Sequence, residues 1–259
     1  MKVGIAILAT DRIHCTMRLI ESMIKYDGGV SHDICVFDDS SKSSDELERY
    51  IETLAFQPKQ QRFNSVDYIK TGSRIGIAKN TNEALKHLKD YDYKFIFNQD
   101  MIVKSDGWVS HYIDASQKTG IQHFCFNQKK LWGAQTSKRP FRNQNINGVD
   151  IITIDKNPHG CLLFLTNAVF DIVGYFDSKL FNSYGYSHHL WSHSVSHSNI
   201  QISGIHDTVD SNKYFRVFDE QCTTPNKERM ESYKKNRVIF ERELNKLKSG
   251  ERSVYTDAE

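Results

Sequence analysis

The chain has 259 residues, enough for one large or two small domains with a full core, and the simplest expectation is one α/β domain with a C-terminal appendage. Its formal charge of +2 and pI near 8.2 neither demand nor exclude an anionic partner. No stretch approaches the ~20 apolar residues of a membrane span, and the apolar run from Met1 to Leu8 is too short for a signal peptide. The five cysteines (Cys15, Cys35, Cys125, Cys161, Cys222) are widely spaced without a CxxC pair and read as reduced thiols, so the expected location is cytoplasmic.

Lys2 to Leu8 reads as a buried strand ending in the polar loop Ala9-Thr10-Asp11-Arg12. Met17, Leu19, Ile20, Met23 and Ile24 recur at helical spacing, which predicts a helix from His14 to Tyr26 that closes at Asp27-Gly28-Gly29. A second short strand, Asp33 to Phe37, ends in Asp38-Asp39-Ser40-Ser41 and is followed by a helix from Asp45 to Leu54. Two strands that both finish in Asp/Ser/Thr-rich loops place those loops on one rim of a parallel sheet. Ser65 to Ile69 is a third strand. The glycine-bearing segment Thr71 to Asn80 matches neither the dinucleotide fingerprint nor the phosphate-loop pattern. It does put Arg74 and Lys79 near a helix start, where backbone N–H groups and basic side chains can meet an anion.

Tyr93 to Phe97 has the composition of a buried central strand, and Asn98-Gln99-Asp100 breaks it abruptly. A carboxylate there is either a turn or helix-capping residue or a group facing a ligand at the carboxyl end of the sheet. A helix from Asp106 to Gln117 and a strand from Ile121 to Phe126 follow. From Asn127 to Asn147 the chain is polar and basic (Lys129, Lys130, Lys138, Arg139, Arg142, with Trp132 and Phe141), as in a solvated loop or a segment that folds over a substrate. Strands are expected from Val149 to Ile154 and Gly160 to Leu165, with a short helix from Val169 to Val173. His189, His193 and His197 fall four apart, a spacing that can hold a metal, but the glutamate a zinc hydrolase needs between them is absent and packing against aromatics is the simpler account. A last strand is expected from Asn199 to Gly204, with His206 and Asp207 just past its end, and then a charged helix from Lys227 to Lys248.

The ordered set of loops, Ala9-Thr10-Asp11-Arg12, Asp38-Asp39-Ser40-Ser41, Gly76-Ile77-Ala78-Lys79-Asn80 and Asn98-Gln99-Asp100, resembles the nucleotide-sugar-binding half of family-2 glycosyltransferases with the A-type fold. Gly107-Trp108 resembles that family's helix after the metal motif, and Val173-Gly174-Tyr175-Phe176-Asp177 with Phe181 to Tyr186 resembles its "G-x-F-D" segment. The resemblance covers about residues 2–195. It implies a Rossmann-like, mostly parallel sheet flanked by helices, with a catalytic domain over residues 1–222 (nucleotide half to about 126, acceptor half from 127) and a C-terminal helix and tail over 223–259.

Carried over residue by residue, the resemblance implies that Asp38, with Asp39 as the near alternative, accepts hydrogen bonds from the donor's base, and that the Thr10 and Arg12 loop touches base or diphosphate. Arg74 and Lys79 join this donor-binding set. Asn98 and Asp100 stand in the D-x-D place, so Asp100 would ligate Mn²⁺ or Mg²⁺ bridging the diphosphate, with Asn98 near the ribose and His206 as a further ligand. Where the family carries an acidic pair, this chain has Ser187 and His188. An imidazole suits proton removal near neutral pH, which makes His188 the candidate base, with Asp177 or Asp207 in reserve.

The expected activity is metal-dependent transfer of a sugar from a nucleoside diphosphate, UDP for preference, to an acceptor hydroxyl with inversion. The alternatives are a noncatalytic nucleotide-sugar or carbohydrate-binding module of the same fold, or a nucleotidyltransferase, whose usual glycine-rich basic loop after the first strand is not seen in Ala9-Thr10-Asp11-Arg12. The acceptor stays open between a glycan, a lipid-linked glycan, a protein and a modified DNA base.

Overall fold

Four strands of alternating or wholly apolar sequence, β1 (Val3–Ala9), β2 (Asp33–Asp38), β3 (Ser65–Lys70) and β4 (Tyr93–Asn98), pair in parallel in the order β3-β2-β1-β4. Parallel strands need long crossovers, supplied here by α1 (Ile13–Lys25), α2 (Ser44–Ala55) and α3 (Ile77–His87). The computed structural model describes residues 1–55, 63–127, 141–154, 158–181, 184–218 and 226–257.

β4 is followed by a short strand β5 (Met101–Val103), helix α4 (Trp108–Thr119) and strand β6 (His123–Cys125). Then come β7 (Phe141–Ile146), β8 (Val149–Ile154), β9 (Leu162–Thr166), α5 (Asn167–Val173), α6 (Ser187–His197), β10 (Ile205–Thr208), α7 (Ser211–Tyr214), β11 (Phe215–Val217) and α8 (Asn226–Ser249). The nine-stranded sheet runs β3-β2-β1-β4-β9-β6-β10-β8-β7, and β11 and β5 form a separate antiparallel pair. The expected parallel order holds through β4. Beyond it β9 lies antiparallel between β4 and β6, and β10 is parallel to β6 but antiparallel to β8.

Side chains alternate across a strand, so the sheet buries a core on each face. Phe95, Phe97, Trp108, Tyr112, Phe124, Phe164 and Phe215 pack on one side, where each fully buried aromatic contributes roughly 1.5–3 kcal/mol. Ile96, Leu85, Leu163, Leu165, Phe176 and Trp191 pack on the other. A third, smaller cluster of Phe181, Tyr186, Leu190 and Phe240 seats α8 on α6.

Two predicted segments come out differently. Asn199 to Gly204 is not a strand: Asn199 and Gly204 take φ of +61° and +128°, left-handed values that break a β ladder, and the strand is Ile205–Thr208. His206 and Asp207 therefore lie within β10, not past its end. The polar stretch after Asn127 is not all loop either, since Phe141–Ile146 pairs with β8 as the edge strand of a hairpin turning at Asn147 and Gly148. Its basic residues Lys129, Lys130, Lys138 and Arg139 lie outside the described residues, as does Cys222.

The C-terminal segment is tied back to the domain. The Tyr175 N–H donates to Thr256 O at 2.9 Å and the Thr256 N–H to Val173 O at 3.0 Å. Arg252 donates to Asp177 at 2.8 Å and to Glu243 at 3.1 Å. Gly174 makes this docking possible: its φ is +69°, and a side chain there would collide with the Thr256 carbonyl. Gly174→Ala is expected to lower stability by roughly 1–3 kcal/mol in urea unfolding and to speed amide exchange at Thr256.

Candidate functional site

The register of the parallel strands lines up the predicted loops. Asn98 pairs with Leu8, Ala9 with Asp38, and Asp38 with Lys70, so the chain leaves β1, β2 and β4 at one level on the carboxyl rim. Gln99, which the sequence reading passed over between Asn98 and Asp100, joins two of these loops. Its amide accepts from the Thr10 N–H at 3.0 Å and from the Thr16 hydroxyl at 3.2 Å, and donates to Thr10 O at 2.7 Å. Period-two alternation from Phe95 and Phe97 already carries Gln99 to the α1 side, which is the signal that could have found it.

The second stitch is Asp39. Its backbone N–H donates to Ala9 O at 2.9 Å, and its carboxylate accepts from the N–H groups of Ile75 and Gly76 at 2.6 and 3.0 Å, just ahead of α3. Asp38 is fully buried, with oxygens held by Ser41 and by the Tyr68 hydroxyl at 2.7 Å. The structure thus turns Asp38 inward to fix the β2–α2 loop, a correction to the expectation that it faces a base. Asp39 is nearly as buried and is committed to the α3 loop.

What converges on the rim is charged. Arg12 Nη2 stands 3.7 Å from Asp100 Oδ2, and Arg74 Nη2 stands 2.7 Å from Asp11 Oδ2 and donates to the Thr10 hydroxyl at 3.1 Å. Burial pushes the Asp11 carboxyl up, but hydrogen bonds from Arg74 and the Lys42 N–H outweigh it and hold the group below the usual range. Lys79 is exposed in the first turn of α3.

Asp100 itself follows β4 in a turn whose carbonyl accepts from the Phe218 N–H at 2.7 Å. Asn98 and Asp100 offer the hard oxygens that Mg²⁺ or Mn²⁺ takes when it binds through one or two carboxylates plus substrate phosphates. Among the described residues no group of three or more His, Cys, Asp or Glu converges to hold a metal alone. The donor set fits an ion held jointly with a phosphate ligand.

His206 is not brought to Asp100. It pairs with Phe124, which lies opposite Phe164 and through it opposite Phe95, so it sits mid-sheet at the level of Phe95, three strands from β4. Its ring nitrogens face the Thr153 hydroxyl at 3.3 Å and the Ile202 carbonyl at 3.1 Å. The shift of the strand to Ile205–Thr208 is the physical reason, and it removes His206 from the metal set.

Of the three candidate bases, two are engaged in holding the fold. Asp207 is fully buried and accepts from Tyr112, Ser211, Asn127 N–H and Thr208 N–H at 2.7–2.8 Å. Burial raises its pKa to about 6 against the pull of those bonds. Asp177 is bound to Arg252 and caps the Leu180 N–H at 3.1 Å.

His188, in the first turn of α6, is different. Its Nε2 donates to Pro158 O at 3.1 Å, which leaves Nδ1 as the proton-accepting nitrogen, and burial lowers its pKa to about 4, so the ring is neutral near pH 7. The ring packs under Gly160, where any side chain would strike it, and the neighbouring Cys161 O accepts from the Asn98 N–H at 2.8 Å. His188 is thereby brought to the segment that abuts the end of β4.

No family model matches the sequence, and no curated protein matches it either. Solved structures do. The chain resembles GalNAc-T7 crystallised with UDP, GalNAc and Mn²⁺ (TM-score 0.59, 12% identity, 80% of this chain and 42% of that one). It also resembles TarS of S. aureus (0.58, 16%, 83% and 36%). A third likeness is to the mannosyltransferase PcManGT of Pyrobaculum calidifontis in complex with GDP-Man and Mn²⁺ (0.56, 11%, 79% and 55%). The chain spans about a third to a little over half of those proteins. It has the A-type fold of glycosyltransferases, and at these identities the likeness establishes the fold.

Two outcomes follow from the geometry. Gln99→Leu takes away the acceptor of the Thr10 N–H and of the Thr16 hydroxyl and is expected to cost roughly 1–3 kcal/mol in chemical denaturation. Burial also lowers His111 and His123 to about 4, as it does His188. These three take up protons on unfolding below their ordinary pKa of 6.5, so stability falls as pH drops from 6.5 through 4. Asp207, with its raised pKa, opposes this over the same window but is one group against three. Melting temperature across that range should decline on acidification and flatten above pH 7.

Proposed function

We propose that this protein is a glycosyltransferase that moves a sugar from a nucleoside diphosphate, UDP for preference, to an acceptor hydroxyl with inversion. The observation that carries the reading is the meeting of Arg12, Arg74 and Asp100 on one rim at the carboxyl ends of β1 and β4, in a fold shared with glycosyltransferases of known donor.

In this reading Thr10, Arg12, Arg74 and Lys79 surround the diphosphate, and Asn98 and Asp100 hold Mn²⁺ or Mg²⁺ beside it. The ion, when bound, neutralises charge on the departing nucleoside diphosphate. The chain's own residues do the rest. Gln99 and Asp39 keep the loops at fixed separation, Arg12 and Arg74 offer planar donors to phosphate oxygens, and His188 Nδ1 accepts the acceptor's proton. Asp38 supports the site by holding the β2–α2 loop.

A noncatalytic module of the same fold would bind donor without turnover. Asp100→Ala is expected to lower UDP-sugar hydrolysis or transfer by about 10²-fold or more with Mn²⁺ present. His188→Ala should reduce turnover by about 10²–10⁴-fold while leaving UDP affinity intact. The acidic limb of kcat/KM should fall near pH 4, where burial places the His188 pKa, instead of near 6.5. Tight UDP binding with no turnover across glycan, lipid-linked, protein and DNA-base acceptors would sink the enzymatic reading and leave the module.

A further inference from the structure

Arginines and carboxylates on the rim stand in matched pairs, but the two pairs differ in quality. Arg74 is well used: it makes a 2.7 Å contact with Asp11 and a hydrogen bond to Thr10, and it is half exposed. Arg12 is not. Its Nη2 is 3.7 Å from Asp100, beyond hydrogen-bond length, and its Nε and Nη1 are buried with no acceptor among the described residues. Buried donors without partners are costly, and a guanidinium in that state is poised for acceptors brought by a ligand.

We propose that Arg12 is an exchange residue: in the free protein it holds Asp100, and when donor and divalent ion arrive it releases that carboxylate and turns its guanidinium to the diphosphate. This rests on the reading of the rim as a nucleotide-sugar site. Three features support it. Asp100 carries the carboxylate of the metal-fitting pair, so Arg12 and a cation compete for the same oxygens. A guanidinium presents its two-donor edges as Nε with Nη2 or Nη1 with Nη2, so once Nη2 leaves Asp100 adjacent diphosphate oxygens can take such an edge and fill the Nε or Nη1 donor that has no acceptor among the described residues. The backbone on both sides of Arg12 is fixed, by Gln99 at Thr10 and by the start of α1 at Ile13, so the exchange is confined to the side chain.

Charge gives the exchange a direction. With Arg12 on Asp100 and Arg74 on Asp11, these four charges offset one another pair by pair. A cation alone must displace Arg12, and a nucleotide alone meets the two carboxylates. Bound together, each removes the charge that opposes the other, so their affinities are coupled through Arg12.

Calorimetric titration of the intact protein with UDP, with Mn²⁺ and with both tests this, on the wild type and on Arg12→Gln, Arg12→Lys and Asp100→Asn, each checked for an unchanged circular dichroism spectrum. In the wild type, Mn²⁺ should tighten UDP binding by on the order of tenfold or more. Arg12→Gln should bind Mn²⁺ alone on the order of tenfold more tightly than wild type and lose most of the coupling, a gain that a merely structural arginine does not produce. Arg12→Lys should keep the wild-type Mn²⁺ affinity but not the full gain for UDP. Asp100→Asn should bind UDP alone more tightly than wild type, with no further effect of Mn²⁺.

Equal Mn²⁺ affinity in wild type and Arg12→Gln, or full coupling retained in that variant, overturns the exchange while leaving the donor site standing. Should Arg12→Gln not fold, the Arg12→Lys and Asp100→Asn titrations decide. A wild type that binds UDP under neither condition overturns the nucleotide-sugar reading itself, and the exchange with it.

Discussion

The side-chain amide of Gln99 sets the position of everything on the rim. It is buried, and it fills both backbone groups of Thr10 and the hydroxyl of Thr16, so the loop after β1 cannot move away from the end of β4 without exposing unsatisfied groups on both sides. Asp39 does the same between β2 and the start of α3, through two backbone donors. The three polar loops are thus held by hydrogen bonds to backbone, which depend little on salt or on the state of any ligand. Arg12 and Asp100 acquire a fixed spacing because the main chain beneath them is fixed.

Over that scaffold the electrostatics are balanced. Two guanidinium groups face two carboxylates, and a half-buried setting strengthens each interaction relative to water. In the proposed reading such paired charges favour a ligand that brings both signs of charge, as a nucleoside diphosphate with a divalent ion does. In the proposed reading the one carboxylate of Asp100 would be enough for a divalent ion, because phosphate oxygens of the donor would complete its shell.

The second half of the sheet is built on different pairing and serves a different purpose. β9, antiparallel to β4, carries at its leading end Gly160 and Cys161, which link His188 to Asn98. The histidine-rich helix α6 packs on α8, with the rings of His189 and His193 each 5.7–5.8 Å from Phe240. Their spacing therefore follows from a helical face buried against aromatics. Asp177 is drawn toward the C-terminal segment by Arg252, so the "G-x-F-D" segment and the tail act as one packed unit with Glu243.

Local pattern was enough to read the strands up to β4, the three crossover helices and the polar loops that follow β1, β2 and β4, because burial on one face imposes a period that survives in the residues themselves. The places of Arg12, Asn98 and Asp100 after apolar runs, and of Arg74 ahead of a helix, were legible in the same way. The direction of a side chain within a loop was not. Asp38 and Asp39 are adjacent and chemically alike, and only the positions of Tyr68 and of the Gly76 loop, 30 and 37 residues further along the chain, decide which groups of the protein each carboxylate holds.

His206 shows the same limit. Two left-handed residues, Asn199 and Gly204, displace the strand by a few positions and carry the imidazole from the rim to the middle of the sheet. Sequence by itself determined which segments alternate with water and which are sealed from it, since that depends on neighbours along the chain. Which polar groups remain available for a ligand was decided by tertiary structure, because a hydrogen bond is satisfied by whatever lies nearest in space.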